Sequence, residues 1–186
     1  MIVVADTAPL NYLIQIDCDG LLPKLYGRIV VPASVMKELG HAAAPVPVRR
    51  WLAQVPDWID VLLAAAAPDA ELADLDLGER EAIQLAEEQH ADLLLIDERK
   101  GRRRARQRGM KTTGTLGVLL SAGQLRLIDP EVVYRQLLAE TTFRTSAGLE
   151  AQFLWLIRPS VCYPLKKNGR HEETRTPDLY RVKVAL

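Results

Sequence analysis

Residues 1–13 read MIVVADTAPLNYL. Four apolar residues, Ile2 to Ala5, run without a polar break and end on one carboxylate, Asp6. A short continuous run of this kind, rich in β-branched side chains and bounded by a polar turn, reads as a strand buried on both faces. Burying an acid at the end of such a strand is costly unless something pairs with it or coordinates it. The partner of Asp6 is therefore the first functional question.

Outward from this strand, the pattern repeats. RIVVP (28–32) reads as a second buried strand, DWIDVL (57–62) as a third and more amphipathic one, and ADLLLID (91–97) as a fourth, again ending on an acid, Asp97. Helical spacing fills the intervals. APLNYLIQI (8–16) is followed by a short helix in DGLLPKLYG, stopped by Gly27, a common C-terminal terminator. ASVMKELG carries Pro32 towards its first turn and ends at Gly40, and the Pro-interrupted stretch 42–55 leads into another helix. LGEREAIQLAEEQH (77–90) is the clearest amphipathic helix, with Ala82, Ile83, Leu85 and Ala86 inward and Glu87 and Glu88 towards water. A short strand and turn in MKTTGT precedes three more helical stretches, 116–124, 130–140 and 147–158. Apolar strands alternating with helices predict a parallel sheet covered on both faces. Ligands of such sheets sit outside the carboxyl ends of the strands, where this reading puts both Asp6 and Asp97.

The chain has 186 residues, 48% hydrophobic and 26% charged, which suits one ordinary globular domain. No apolar run approaches the ~20 residues of a membrane span, and the N-terminus lacks the basic start and cleavage site of a secretory leader. Cys18 and Cys162 have no metal-ligand spacing and read as free thiols. A cytoplasmic protein is expected. Lys+Arg and Asp+Glu balance at 24 each, but 18 basic and 21 acidic residues fall before residue 159, so the tail is the basic part. Net charge thus excludes a strongly basic nucleic-acid binder. A local exception is ERKGRRRARQRGMK (98–111), with eight basic residues from Arg99 to Lys111.

Asp6, Glu38, the Glu79/Glu81 pair and Asp97 form the candidate chemistry. Converging carboxylates suit a hard divalent cation, and such a cation can ionise water and neutralise charge on a phosphodiester. Each acid also has a bland reading. Glu38 and Glu81 fit solvated helix positions, Glu79 complements a helix N-terminus, and Asp97 or Glu98 suits a turn. His41, His90 and His171 sit in no catalytic pattern.

ADTAPL (5–10), VPASVMKELG (31–40), LGEREAIQLA (77–86) and LLLIDERKGRRRA (93–105), in this order, resemble the PIN-domain family, more narrowly its VapC-like toxins. Residues 109–146 resemble the C-terminal half of one branch, so the likeness covers residues 1–157. It implies a three-layer α/β/α sandwich with a mainly parallel central sheet. It also implies an Mg²⁺- or Mn²⁺-dependent endoribonuclease, usually a homodimer and silenced by a cognate antitoxin. By the resemblance, Asp6, Glu38, Glu81 and Asp97 are the four catalytic acids, with Asp6 and Asp97 on the metal. Glu79 competes with Glu81, because relatives often have aspartate at the latter. Thr7 supplies a nearby hydroxyl and Asn11 a polar neighbour. The implied mechanism has Glu38 and Glu81 orienting water for attack on the phosphate, leaving a 3′-hydroxyl and a 5′-phosphate.

Beside Asp97, Arg99, Lys100, Arg102 and Arg103 are expected to steer RNA phosphates; the alternatives are a solvated face or a dock for an acidic antitoxin segment. Aromatic residues make up 5% of the chain, which favours shape and phosphate recognition over stacking on single strands. Residues 158–186 carry no PIN-like pattern and are expected to be a poorly ordered tail, or else a basic binding arm. Two other functions compete with a nuclease. One is a PIN-like module that binds RNA or a partner without cutting. The other is a phosphotransfer or receiver domain, disfavoured because position 8 is alanine where such enzymes want a second acid.

Overall fold

The computed structural model describes residues 1–65 and 69–158. The expected tail lies outside them except for Arg158, and so do Cys162 and His171. In chain order the elements are β1 (Val3–Ala5), α1 (Thr7–Gln15), α2 (Leu21–Tyr26), β2 (Ile29–Pro32), α3 (Ala33–Leu39), α4 (Val46–Ala53), β3 (Ile59–Leu62), α5 (Leu77–Glu88), β4 (Leu93–Leu95), α6 (Arg99–Gln107), β5 (Thr112–Thr113), α7 (Thr115–Gln124), α8 (Pro130–Glu140) and α9 (Ala147–Ile157). A 3-10 turn at Ala70–Leu72 interrupts the acidic loop before α5. Pro32 ends β2 and caps α3 from outside instead of entering its first turn. Its extended backbone suits both tasks.

The five strands form one parallel sheet in the order β3-β2-β1-β4-β5. β1 lies in the middle, with Val3 opposite Ile29 on one side and opposite Leu93 on the other. Chain winding runs outward from β1 to β3, then returns to place β4 on the other flank. The crevice this reversal leaves opens at the carboxyl ends of β1 and β4.

Alternation along the strands divides the core into two layers. Val3, Ala5, Leu93 and Leu95 pack with the helices led by α1 and α7, whereas Val4, Leu94 and Ile96 pack under α5 and α6. The central strands β1 and β4 bury their side chains almost completely, which is why their sequences are continuously apolar, whereas the flanking β3 exposes Val61 and Leu62. Gly27, at φ +79, closes α2 in a conformation that other residues rarely adopt. The arrangement is an α/β/α sandwich.

The basic helix α6 reaches the core through two small residues. Gly101 and Ala105, four apart, are its buried positions. A Cβ on Gly101 would stand 2.5 Å from Ile96 Cδ1, so the backbone of α6 lies directly on the sheet layer. Replacing Leu94, 1% exposed beneath α5, by alanine is expected to lower the unfolding free energy by roughly 2–5 kcal/mol in urea melts. Arg28→Ala breaks an exposed pair with Asp60 and should leave the midpoint unchanged. Equal shifts for the two would contradict this division of core and surface.

Candidate functional site

Asp6 extends the β1–β4 ladder by one bond, its amide donating to Leu95 O at 2.9 Å, and then caps α1. The residue is 3% exposed. Burial pushes its carboxyl up to about 7, Asp76 and Glu79 push in the same direction, and the amides of Thr7 and Ala8 only partly offset them.

Thr7 joins this site to α3: its hydroxyl donates to Glu38 Oε2 at 2.6 Å. The first turn of α5 closes on the same place. A Cβ on Gly78 would meet Glu38 Oε2 at 2.7 Å, Thr7 Oγ1 at 3.2 Å and Asp6 Oδ1 at 3.5 Å. Glycine at 78 is thus what lets α5 approach the acids.

Glu79 follows, buried, its amide donating to Asp76 Oδ1 at 2.8 Å. Its Oε1 is buried with no hydrogen-bond partner among the described residues. Burial, and then Asp76 and Glu98, push its carboxyl up to about 7, while Lys100 pulls the other way. Glu79 lies near enough to Asp6 for its charge to push the Asp6 carboxyl up; Glu81 is half-buried elsewhere on α5 and takes no part in these contacts. Asp76 is a member that sequence reading missed. Its signal was available in the spacing Asp-x-x-Glu before an apolar run, the mark of a helix start.

Asp97 stands past the end of β4, half-buried, with Thr115 N donating to Oδ1 at 2.8 Å and Thr115 Oγ1 to Oδ2 at 2.6 Å. Burial raises its pKa, against the pull of Thr115 and Arg102. A carboxylate has about four lone-pair sites, so these two bonds leave it acceptor capacity. Asn11 is half-buried on α1, and its carbonyl receives a local bond from Gln15. His41 and His90 are exposed, and His41 meets Glu38 only through its amide, which donates to Glu38 O at 3.0 Å.

The basic residues divide. Lys100 and Arg104 pair with Asp74, and Arg108 with Asp69, Glu71 and Glu87. Arg102 lines a cleft beside Asp97, while Arg99 and Arg103 are exposed. Of the four expected phosphate contacts, Lys100 is therefore already engaged within the chain.

Among the described residues, no three His, Cys, Asp or Glu side chains are grouped closely enough to enclose an ion. The donors are all oxygen, however, and Glu79 Oε1 is an orphan beside a second buried carboxylate. That set fits a hard cation held by one or two carboxylates, with water completing the shell.

Acids at the carboxyl ends of a parallel sheet, on the reversal of its winding, mark that crevice as the ligand side of an α/β/α sandwich. Residues 2–158 match the family model of the PIN domain, and the chain belongs to that family. PIN domains are generally nucleases and typically use divalent metals. Among solved structures, a PilT N-terminus domain protein from the hyperthermophilic archaeon Sulfolobus solfataricus P2 is similar at 15% identity. It has a TM-score of 0.45, over 78% of this chain and 100% of that one. No curated protein matches the chain. No helix of the described residues is long and apolar enough to cross a membrane.

An acid whose pKa rises from 3.8 to about 7 holds its proton more tightly folded than unfolded. Its contribution to stability is full below the unfolded value, declines as pH rises through about 7, and then levels off. In EDTA at pH 8, Asp6→Asn should therefore melt several degrees above wild type, on the order of 5 °C, with the gap closing towards pH 4. A variant less stable than wild type at pH 8 would show that Asp6 is already neutralised by the protein.

Proposed function

We propose that the chain is a divalent-metal-dependent endoribonuclease that hydrolyses RNA phosphodiester bonds, acting in the cytoplasm as the toxin of a toxin–antitoxin pair. The observation that carries the reading is the pair of buried carboxylates, Asp6 and Glu79. Both are raised to about 7, and one has an orphaned oxygen, at the crevice of a PIN-family sheet. When bound, Mg²⁺ or Mn²⁺ supplies a lowered pKa for water and neutralises charge developing on the phosphodiester.

The chain's own residues divide the rest. Two of Asp6, Glu79 and Asp97 would hold the ion, with water completing its shell. Thr115 fixes the Asp97 carboxylate through both oxygens, and Thr7 fixes Glu38 through Oε2. Glu38 is exposed, and its Oε1 would take the proton of an attacking water. Arg99 and Arg103, exposed one turn apart along α6, attract the phosphate backbone, with Arg102 on the Asp97 side. Glu79 takes the third acid position in place of Glu81. The VapC-like motifs support a homodimer and an antitoxin partner, to be tested by co-purification with the product of the neighbouring gene.

Purified protein should cut a mixed RNA pool only with Mg²⁺ or Mn²⁺ present. Asp6→Asn and Glu79→Gln should lose roughly 100-fold or more of this activity, Thr7→Val roughly 10-fold, and Glu81→Gln little. Independently of activity, Mn²⁺ should raise the wild-type melting temperature at pH 8 and leave that of Asp6→Asn unmoved. Folded wild type that retains RNA but never cuts it would instead establish a binding module.

A further inference from the structure

On the α7 side of Asp97 a cleft of about 190 Å³ opens between α1, the start of α6, α7 and the connection from α8 to α9. Besides Asp97 and Arg102, its walls gather groups that the carboxylate chemistry does not use. Tyr12 and Phe143 meet edge to face with ring centroids 5.2 Å apart. Two guanidinium groups, of Arg102 and Arg144, line it. Thr145 lines it too, and its hydroxyl oxygen is buried with no partner among the described residues. Asp97 and Glu98 form the remaining side.

We propose that this cleft is a nucleoside subsite, taking the base and ribose of one nucleotide of the RNA strand and holding its phosphate at Arg102 and Arg144. The proposal rests on the nuclease reading for the identity of the polymer, and on the cleft alone for the occupant's shape. Pockets for drug-sized ligands measure roughly 300–1,000 Å³, so this one has room for a single ring system and not for two stacked nucleotides.

Charge placement argues for a neutral ring inside and an anion outside. A bare anion filling the cleft would face the carboxylates of Asp97 and Glu98, whereas a nucleotide presents its phosphate to the arginines and only uncharged atoms to the acids. The half-buried ring of Tyr12, held edge to face on the core residue Phe143, gives the cleft an aromatic surface that favours a planar π-system. The orphaned Thr145 hydroxyl can both donate and accept, as a base edge or a ribose hydroxyl requires. Because Asp97 belongs to both places, a nucleotide seated here brings its own phosphate beside the carboxylate site. The base that fits would then select where the strand is cut. This differs from the recognition expected from the low aromatic content, because the fold brings together two aromatic residues that stand far apart in the chain.

The test uses the full chain in EDTA, where no cleavage intervenes. AMP, GMP, CMP and UMP are titrated separately and followed by amide chemical shifts, with inorganic phosphate as the control anion. At least one nucleotide should bind saturably and at least about tenfold more tightly than phosphate. Arg144→Ala and Thr145→Val should each weaken that nucleotide about fivefold without lowering the melting temperature. Phosphate binding as tightly as every nucleotide would reduce the cleft to an anion site and overturn the proposal. Absence of saturable binding, or binding indifferent to both variants, would overturn it equally. The two readings fail separately. Protein that cuts RNA while its nucleotide binding ignores both variants loses the subsite and keeps the nuclease. Protein that binds a nucleotide as described but never cuts keeps the subsite and loses the nuclease.

Discussion

The pairing of β1 with β4 governs everything at the carboxyl edge. Parallel register sets Ala5 against Leu95, and one further bond, from the Asp6 amide to Leu95 O, carries the ladder to the point where both chains leave the sheet. Asp6 and Asp97 therefore emerge from adjacent central strands, at the place where winding changes direction and no helix can cover both ends. Neither strand could do this from an edge. At an edge the carboxylate would be solvated and its charge cheap to carry; here Asp6 is buried among other acids, and its proton affinity rises.

The concentration of basic residues in α6 has more than one purpose. Lys100, Arg104 and Arg108 face the acidic segment before α5 and neutralise Asp69, Glu71 and Asp74. Exposed pairs of this kind contribute little singly. Arg108 is different: its side chain is only 17% exposed and reaches three carboxylates, so it fixes one geometry for the lead-in to α5. That geometry ends at Asp76 and Glu79. Part of the basic run is thus consumed in ion pairs with the lead-in to α5.

How much of this was legible in the sequence follows from what each signal measures. Strands were readable because burial on both faces demands continuous apolar runs, and the acids ending two of them were visible for the same reason. Element order, the terminating Gly27 and Gly40, and the helix 77–88 needed only local rules. The choice between Glu79 and Glu81 did not. Both occupy the first turn and a half of α5, two positions and about 200° apart around the axis. Which one meets Asp6 depends on how α5 is rotated on the sheet, and that is fixed by Ala82, Ile83 and Ala86 packing on Val4 and Leu94. The basic stretch misled in a similar way. Eight basic residues fall between Arg99 and Lys111, yet Gly101 and Ala105 supply a contact stripe too narrow for hydrophobic periodicity to register. The cleft joins residues over a hundred positions apart, so no local pattern could announce it.

Three glycines show why the site has the shape it does. A Cβ would lie 2.7 Å from Glu38 Oε2 if placed on Gly78, 2.7 Å from Glu79 Oε1 if placed on Gly101, and 2.3 Å from Asp97 Oδ1 if placed on Gly114. Each carboxylate is thus pressed against backbone that only glycine leaves open. Packing of this closeness restricts rotamers, so the acids are held in place before any ligand arrives. The energetic consequence runs against stability, since burial works against the charge of Asp6, Glu79 and Asp97. A fold selected for stability alone would let these side chains turn to water. Keeping them buried, with glycine at 78, 101 and 114 to make room, is intelligible in a family whose members typically use divalent metals.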